Sequence, residues 1–319
     1  MARANIVVGI AARDEGPALE ETIRSVSETA NGLVSRMVII DDASRDLVAG
    51  RIAAMGGAPF PINVYRNAVP QGAGPSKHIL ASRAGLLSGE VLVILDAHVL
   101  MPDLWALEAQ EACGAGMVFG WPVRSMTGAV PDFFGVRVDG LNADYGPVAQ
   151  QRFGHIHDKA SGPHGGMLAI GFNELARLGG YCPLLVGFGC EEPWLALRMA
   201  AEGIPFCLSG DFVKHWFMED KPERPVEMDD GRTREQTWTN LANMLLIVCA
   251  VSKGEWLDHR LEKMRRGMQD RFGEGVWNRA VAYAYKHPEL PAWRAWFRHF
   301  ERVNRLCDLG LVGRKEMEP

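Results

Sequence analysis

Over the first hundred residues, short apolar runs alternate with polar stretches of helical period. Ile6–Ala11 (IVVGIA) is bounded by Arg13-Asp14-Glu15-Gly16-Pro17, and the following LEETIRSVSETA repeats Leu19, Ile23 and Val26 at helical spacing. That pattern predicts strand, loop and helix. Met37–Ile40 (MVII) predicts a second strand ending in Asp41-Asp42-Ala43-Ser44, and Ile62–Tyr65 a third. A helix over Ser76–Leu87 then leads to a fourth strand, Val91–Leu95 (VLVIL), closed by Asp96-Ala97-His98. Short buried strands alternating with helices indicate an α/β fold with a mostly parallel sheet covered on both faces. Ligands of such sheets bind outside the carboxyl ends of the strands. Those ends carry Arg13-Asp14-Glu15, Asp41-Asp42 and Asp96-Ala97-His98, more charge than turns alone require.

After Met101 the alternation breaks. Met117–Trp121 and Gly166–Ile170 read as strands, separated by a long irregular insert, Gly128–Pro163. His155, His157 and the adjoining His164 lack the H-E-x-x-H context of a helical zinc site and read as part of a polar, acceptor-side loop. Met218–Arg234 is rich in charge and proline and reads as an exposed loop. Leu241–Val251 (LANMLLIVCAV) is too short to span a bilayer and predicts a buried helix. The helical region carries Trp238, Trp256, Trp277, Trp293 and Trp296, which read first as core packing.

Composition narrows the class. A chain of 319 residues with 47% hydrophobic content holds one large domain plus an appendage, here divided at residues 1–220 and 221–319. A net charge of -5 does not describe a surface built wholly for nucleic acid or anionic membrane. The distribution is uneven: from Val251 onward there are 14 Lys/Arg against 10 Asp/Glu (+4), and before it 20 against 29 (-9). The basic, Trp-rich C-terminal region therefore leaves nucleic acid open as an acceptor. The N-terminus shows no secretion signal, and no run is long enough for a membrane span. Six cysteines without a C-x-x-C pair fit buried thiols in a reducing compartment, so a cytoplasmic location is expected.

Familiar phosphate-binding signatures are missing. A dinucleotide-binding domain wants G-x-G-x-x-G after the first strand, where this chain has ARDEGP, and no G-x-x-x-x-G-K-[ST] occurs. QGAGPSK at Gln71–Lys77 is glycine-rich enough to approach a phosphate. At the tip of the fourth strand, residues i and i+2 share a face, so Asp96 and His98 are placed to hold a divalent cation.

Together these ordered motifs resemble family 2 glycosyltransferases of the GT-A fold, and more closely the catalytic domain of the polypeptide N-acetylgalactosaminyltransferases. Ile40-Asp41-Asp42-Ala43-Ser44 resembles the family's V-D-D-x-S turn, which reads the nucleotide base, and Asp96-Ala97-His98 matches the D-x-H form of its metal motif. Gly165-Gly166 resemble a glycine pair that lets backbone approach the sugar. Glu191-Glu192-Pro193-Trp194-Leu195-Ala196-Leu197-Arg198 fits the E-D-x-x-L-x-x-R pattern of inverting members, whereas D-x-H favours the retaining ones. Val213-Lys214-His215-Trp216-Phe217 is similar to their H-V-F segment, whose His is a third metal ligand, and the charged loop after it resembles a mobile lid.

The resemblance implies a metal-dependent glycosyltransferase taking a UDP-sugar. Asp96, His98 and His215 would hold Mn2+, with Mg2+ as the alternative. Ala11, Arg13, Glu15, Asp41, Asp42, Lys77, Asp96, Ala97, Gly165 and Gly166 would line the donor site, and Glu191 and Glu192 would act at the reacting centre. The acceptor would offer a hydroxyl on a saccharide, a small molecule or a hydroxylated DNA base. Sugar-phosphate nucleotidyl transfer and a non-catalytic nucleotide-sugar-binding module are the rival readings.

Overall fold

The structure, a computed structural model, describes residues 5–128, 132–137, 149–152, 162–164, 166–181, 185–187, 189–216, 234–251, 257–258, 261–262, 264–266, 274–288, 290–292 and 294. The expected alternation is present as β1 (Ile6–Ala12), α1 (Pro17–Thr29), β2 (Val34–Asp41), α2 (Val48–Ala54), β3 (Ile62–Arg66), α3 (Ala73–Arg83) and β4 (Val91–Asp96). Helix α2 has no mark in the sequence pattern, because it is a short surface helix that buries only Val48. Next come β5 (Val99–Leu100), α4 (Trp105–Gly114), β6 (Val118–Gly120) and β7 (Val123–Ser125). The remaining elements are β8 (Phe133–Arg137), β9 (Ala149–Arg152), β10 (Met167–Gly171), α5 (Phe172–Leu178), α6 (Glu191–Glu202), β11 (Phe206–Leu208), β12 (Val213–His215), α7 (Arg234–Val251) and α8 (Glu274–Lys286).

The insert at Gly128–Pro163 is a correction to the sequence expectation. Part of it is regular: β8 pairs antiparallel with both β7 and β9, completing a second sheet of order β5-β12-β7-β8-β9. Phe133 and Phe134 are buried there, so the segment is fixed by apolar contacts with the main body, which local periodicity does not reveal.

The main sheet runs β11-β6-β10-β4-β1-β2-β3. Strand β1 lies parallel to β2 and β4, β2 parallel to β3, and β6 parallel to β11. Strand β10 is antiparallel to both of its neighbours. It lies beside the tip of β4, with Met167 opposite Leu95, and so carries the residues just before it up to Asp96.

Side-chain alternation splits the core into two faces. Ile6, Val8, Ile10, Val91, Val93 and Leu95 pack with α1 and α4, whereas Val7, Leu92 and Ile94 pack with α3, α5, α6, α7 and α8. Asp96 has the parity of Leu92 and Ile94 and therefore falls on the α3 side. Helix α3 sits hard against β1: a Cβ on Gly9 would come 2.2 Å from Leu80 Cδ2. The same face takes Leu241, Leu245, Leu246 and Val248 of α7 and Trp277 and Ala280 of α8, each nearly or fully buried. Full burial of each such aliphatic side chain contributes about 1.5–3 kcal/mol.

Candidate metal and donor site

Strand β4 stops at Asp96, and its carboxylate is held from several sides. The Lys77 ammonium, carried in by α3, lies 2.9 Å from Oδ1, and the Asp96 N–H donates to the Gly166 carbonyl at 2.8 Å. The carboxylate fills the space where Gly166 would carry a side chain, since a Cβ there would lie 2.1 Å from Oδ2. Burial opposes ionisation of Asp96, but Lys77 and the two neighbouring imidazoles outweigh it and hold the carboxyl well below the usual range. Burial likewise opposes the charge on Lys77. Asp96, Glu191 and Glu192 overcome it and raise the ammonium above the ordinary lysine range.

His98 reaches this point through a bend, which differs from the shared strand face that the spacing suggests. The chain leaves extended structure at Ala97 and His98 and resumes it at β5, so the bend, not the pleat, turns His98 toward Asp96. Its Nδ1 donates to Glu15 Oε2 at 3.0 Å, which leaves Nε2 with the lone pair. His215, at the end of β12, is brought opposite Val99 by the antiparallel β5–β12 pairing. The His98 and His215 rings meet edge to face at 4.6 Å, and His215 Nε2 lies 3.4 Å from Asp96 Oδ2. Burial lowers the His215 pKa to about 4 despite the attraction of Asp96, so the imidazole is neutral at physiological pH.

One ligand atom from each of Asp96, His98 and His215 lies within 4.8 Å of the others. Two imidazoles, neutral where burial enforces it, and an ionised carboxylate form a donor set that suits a divalent transition ion. The 3.4 Å between His215 and Asp96 is long for a strong hydrogen bond and leaves a cation to bridge them. The residues therefore fit the metal that the sequence implied.

Glu191 and Glu192 begin α6, after Cys190 in a left-handed conformation (φ 71°). Glu191 is buried and Glu192 half-buried. Burial first, then the adjacent Glu192 charge, pushes the Glu191 carboxyl up to about 7, against the pull of Lys77. The pair thus offers one carboxyl near neutrality and one more exposed, both electrostatically linked to Lys77.

Other anticipated residues are placed differently. Asp41 and Asp42 are buried and face the protein's own groups. Asp41 accepts from the Ser44 N–H at 2.8 Å and pairs with Arg66, while Asp42 accepts from the N–H groups of Gln71 and Gly72, both at 2.8 Å. These last bonds, with Gly74 N–H donating to Gly187 O at 3.3 Å, engage the Gln71, Gly72 and Gly74 N–H groups of the glycine-rich QGAGPSK segment within the protein. Arg13 is exposed at the end of the β1 tip. Ala11 is registered between Ile40 and Asp96, and Ala97 is buried. Gly165, His155, His157, the charged stretch expected as a lid, and Trp256, Trp293 and Trp296 lie outside the described residues. Trp277 is buried, and Trp238 packs against Tyr283 and Arg279, in line with the packing role.

His164 is nearer this centre than its loop reading suggested. It accepts from Gly166 N–H through Nδ1 at 3.2 Å, and its ring lies 6.2 Å from that of His215. Burial, above all, lowers its pKa. The H-G-G context, with its His three residues before a strand, was the available signal. Asn240 and Asn243 of α7, which hold the loop before Glu191, were also missed; the lone Asn inside an apolar helix marked the second.

Comparison with known proteins bears on this geometry. Residues 7–141 match the family described as glycosyl transferase family 2. No curated protein sequence matches the chain significantly. A structure of GalNAc-T7 with UDP, GalNAc and Mn2+ superposes with a TM-score of 0.59 at 18% identity, covering 89% of this chain. The chain spans only 55% of the length of GalNAc-T7. A mannosyltransferase from Pyrobaculum calidifontis, PcManGT, with GDP-Man and Mn2+, gives 0.50 at 14% identity over 99% of this chain and 89% of its own. S. aureus TarS residues 1–349 with UDP-GlcNAc gives 0.55 at 12% identity over 94% and 90%. At such identities the structural likeness speaks for the fold alone, a mixed sheet with helices on both faces. Residues 7–141 thus carry a glycosyl transferase family 2 signature, and the chain shares its fold with the structures of GalNAc-T7, PcManGT and TarS.

Proposed function

We propose that the chain transfers a sugar from a UDP-sugar to a hydroxyl acceptor, with Mn2+ held by Asp96, His98 and His215 and Mg2+ as the alternative ion. The observation that carries this reading is the convergence of those three side chains at the carboxyl end of β4. A cation there would act as a Lewis acid on the departing diphosphate. Structural neighbours solved with UDP, UDP-GlcNAc or GDP-Man, two of them also with Mn2+, support it.

The chain's own residues divide the remaining work. Lys77 fixes a positive charge beside the place where negative charge gathers on the leaving group. Glu191, poised near neutrality, hydrogen-bonds a hydroxyl of the donor sugar. Glu192, more open, takes the proton of the acceptor hydroxyl if the anomeric centre inverts, or orients that hydroxyl if configuration is retained. Arg13 and the Asp41–Asp42 turn border the nucleoside side. Cys113, Cys190, Cys207 and Cys249 form no disulfide among the described residues, which fits the cytoplasmic location proposed here. Among the described residues no helix is long and apolar enough to cross a membrane.

The test incubates the protein with a panel of UDP- and GDP-sugars, with Mn2+ or EDTA, and measures nucleoside diphosphate release. Release from one donor that needs Mn2+ and disappears in Asp96→Ala and His215→Ala is the expected result. Absence of Mn2+-dependent UDP binding by calorimetry would overturn the reading. For the acceptor, affinity that falls steeply with salt marks a nucleic acid, and a flat response marks a neutral saccharide.

A further inference from the structure

Helix α7 is apolar from Leu241 to Val251 except for Asn243, which is fully buried. A buried amide is retained only where its hydrogen bonds are met, and Asn243 meets them on a single loop. Its Oδ1 accepts from Val186 N–H at 3.0 Å, and its Nδ2 donates to Val186 O and Gly189 O, both at 2.9 Å. An apolar residue at this position would leave those three backbone groups without their partner.

The same loop is gripped from two further directions. A Cβ on Gly187 (φ 58°) would lie 2.6 Å from Thr239 Cγ2, and one on Gly189 (φ 95°) 2.6 Å from Asn240 Oδ1. The Cys190 thiol donates to Asn240 Oδ1 at 3.2 Å. On the opposite side, a Cβ on Gly72 would come 2.3 Å from Gly187 O, and Gly74 N–H donates to that carbonyl. The loop is thus pressed between the start of α3 and the polar turn of α7, and its next residue after Cys190 is Glu191. Glu191 Oε1 would in turn lie 3.3 Å from a Cβ on Gly74.

We propose that Asn243 is a positioning residue of the transferase: through Val186 and Gly189 it sets the entry of α6 and so the placement of Glu191 and Glu192. Helix α7 is then part of the active-site apparatus as well as of the core. This rests on the reading of the two glutamates given above. Because Asn243 acts through the loop, it governs the chemical step and leaves the strand-tip cation site untouched.

The experiment compares wild type, Asn243→Ala and Met244→Ala, the last altering a half-buried packing residue of the same helix, at a temperature where all are folded by circular dichroism. Hydrogen exchange of the 186–191 amides, calorimetric binding of Mn2+ plus UDP, and kcat and KM for donor hydrolysis are read on each. In Asn243→Ala, exchange at 186–191 is expected to rise about tenfold or more, and kcat to fall about tenfold or more, with a smaller rise in donor KM as Glu191 loses its hold on the sugar. Mn2+–UDP affinity stays within about twofold. Met244→Ala lowers Tm without this selective opening. If Asn243→Ala does not fold, Asn240→Ala, which removes the Cys190 contact, reads the same loop. Exchange at 186–191 no faster than in the Met244→Ala control, or a loss confined to KM, overturns the proposal. Failure of wild type to bind Mn2+ and UDP overturns the functional reading instead, and the exchange data still decide whether Asn243 holds the loop.

Discussion

Asp96 and Glu191 are both largely buried, and both feel the Lys77 ammonium, yet the structure holds them in different states. Asp96 has Lys77 in direct contact and two imidazoles beside it, and it stays ionised well below the ordinary range. Glu191 has a second carboxylate next to it, and its pKa rises to about 7. Burial disfavours the charge in both cases. The immediate partners decide which acid keeps its proton, and this separates a cation ligand from a group able to donate a hydrogen bond at neutral pH.

Removing the ionised member gives the largest effect. Asp96→Ala should abolish Mn2+-dependent UDP binding and reduce donor hydrolysis by at least about 10³-fold, as read by calorimetry and diphosphate release. Lys77 would keep Glu191 and Glu192 as partners, so the fold should survive, and a native circular dichroism spectrum checks that.

Gly166→Ala attacks the same acid sterically. Its Cβ would fall 2.1 Å from Asp96 Oδ2, a backbone-borne clash that only displacement of the carboxylate relieves. We expect roughly 10²-fold weaker Mn2+ binding, whereas the same change at the exposed Gly210, where a Cβ meets nothing, should leave it unaltered.

Glu15→Gln is gentler, because it weakens the hydrogen bond that fixes the His98 tautomer without removing a ligand. A drop of about 10-fold to 100-fold in Mn2+ affinity follows from the usual cost of losing such support. An unchanged affinity would show that His98 needs no orienting partner.

Glu191→Gln sharpens the comparison through its sign. The folded-state pKa of about 7 exceeds the unfolded value near 4.3, so the folded protein holds the extra proton between them and loses stability as pH rises through that window. Glutamine is neutral throughout. Urea unfolding should therefore find Glu191→Gln more stable than wild type at pH 8, by on the order of 2 kcal/mol, and nearly equal at pH 4. For His215, whose pKa is depressed to about 4, the sign is opposite: its contribution is intact above pH 6.5 and lost as pH falls toward 4. Equal stability of Glu191→Gln and wild type at both pH values would mean that Glu191 is not held near neutrality.

Legibility varied with the range of the interaction. The β1, β2 and β4 tips and their charges were readable because each is a local apolar run followed by polar residues. The D-x-H spacing and the later K-H-W segment were readable only as separate motifs. Nothing local said that His215, 117 residues beyond His98, sits at 4.6 Å from it, since that depends on β12 pairing with β5. The β8–β9 pairing went unseen for the same reason: its strands are short, and they form only as part of the second sheet. The hydrogen bonds that Asp41 and Asp42 accept from Ser44, Gln71 and Gly72 were likewise invisible in the sequence, because they join separate turns.

The sequence by itself determined the alternating elements, the parity that puts Asp96 on the α3 side, and the residue types from which the metal and donor site is proposed, because these follow from short-range periodicity and side-chain chemistry. The tertiary structure decided which charges meet. It set Lys77 on Asp96, turned Glu15 to His98, pushed Glu191 toward neutrality beside Glu192, and brought Asn243 from a helix far along the chain onto the loop that leads into them. Electrostatic pairing and loop clamping depend on distances across the fold, and those are fixed only when the sheet, its crossovers and the C-terminal helices close on one another.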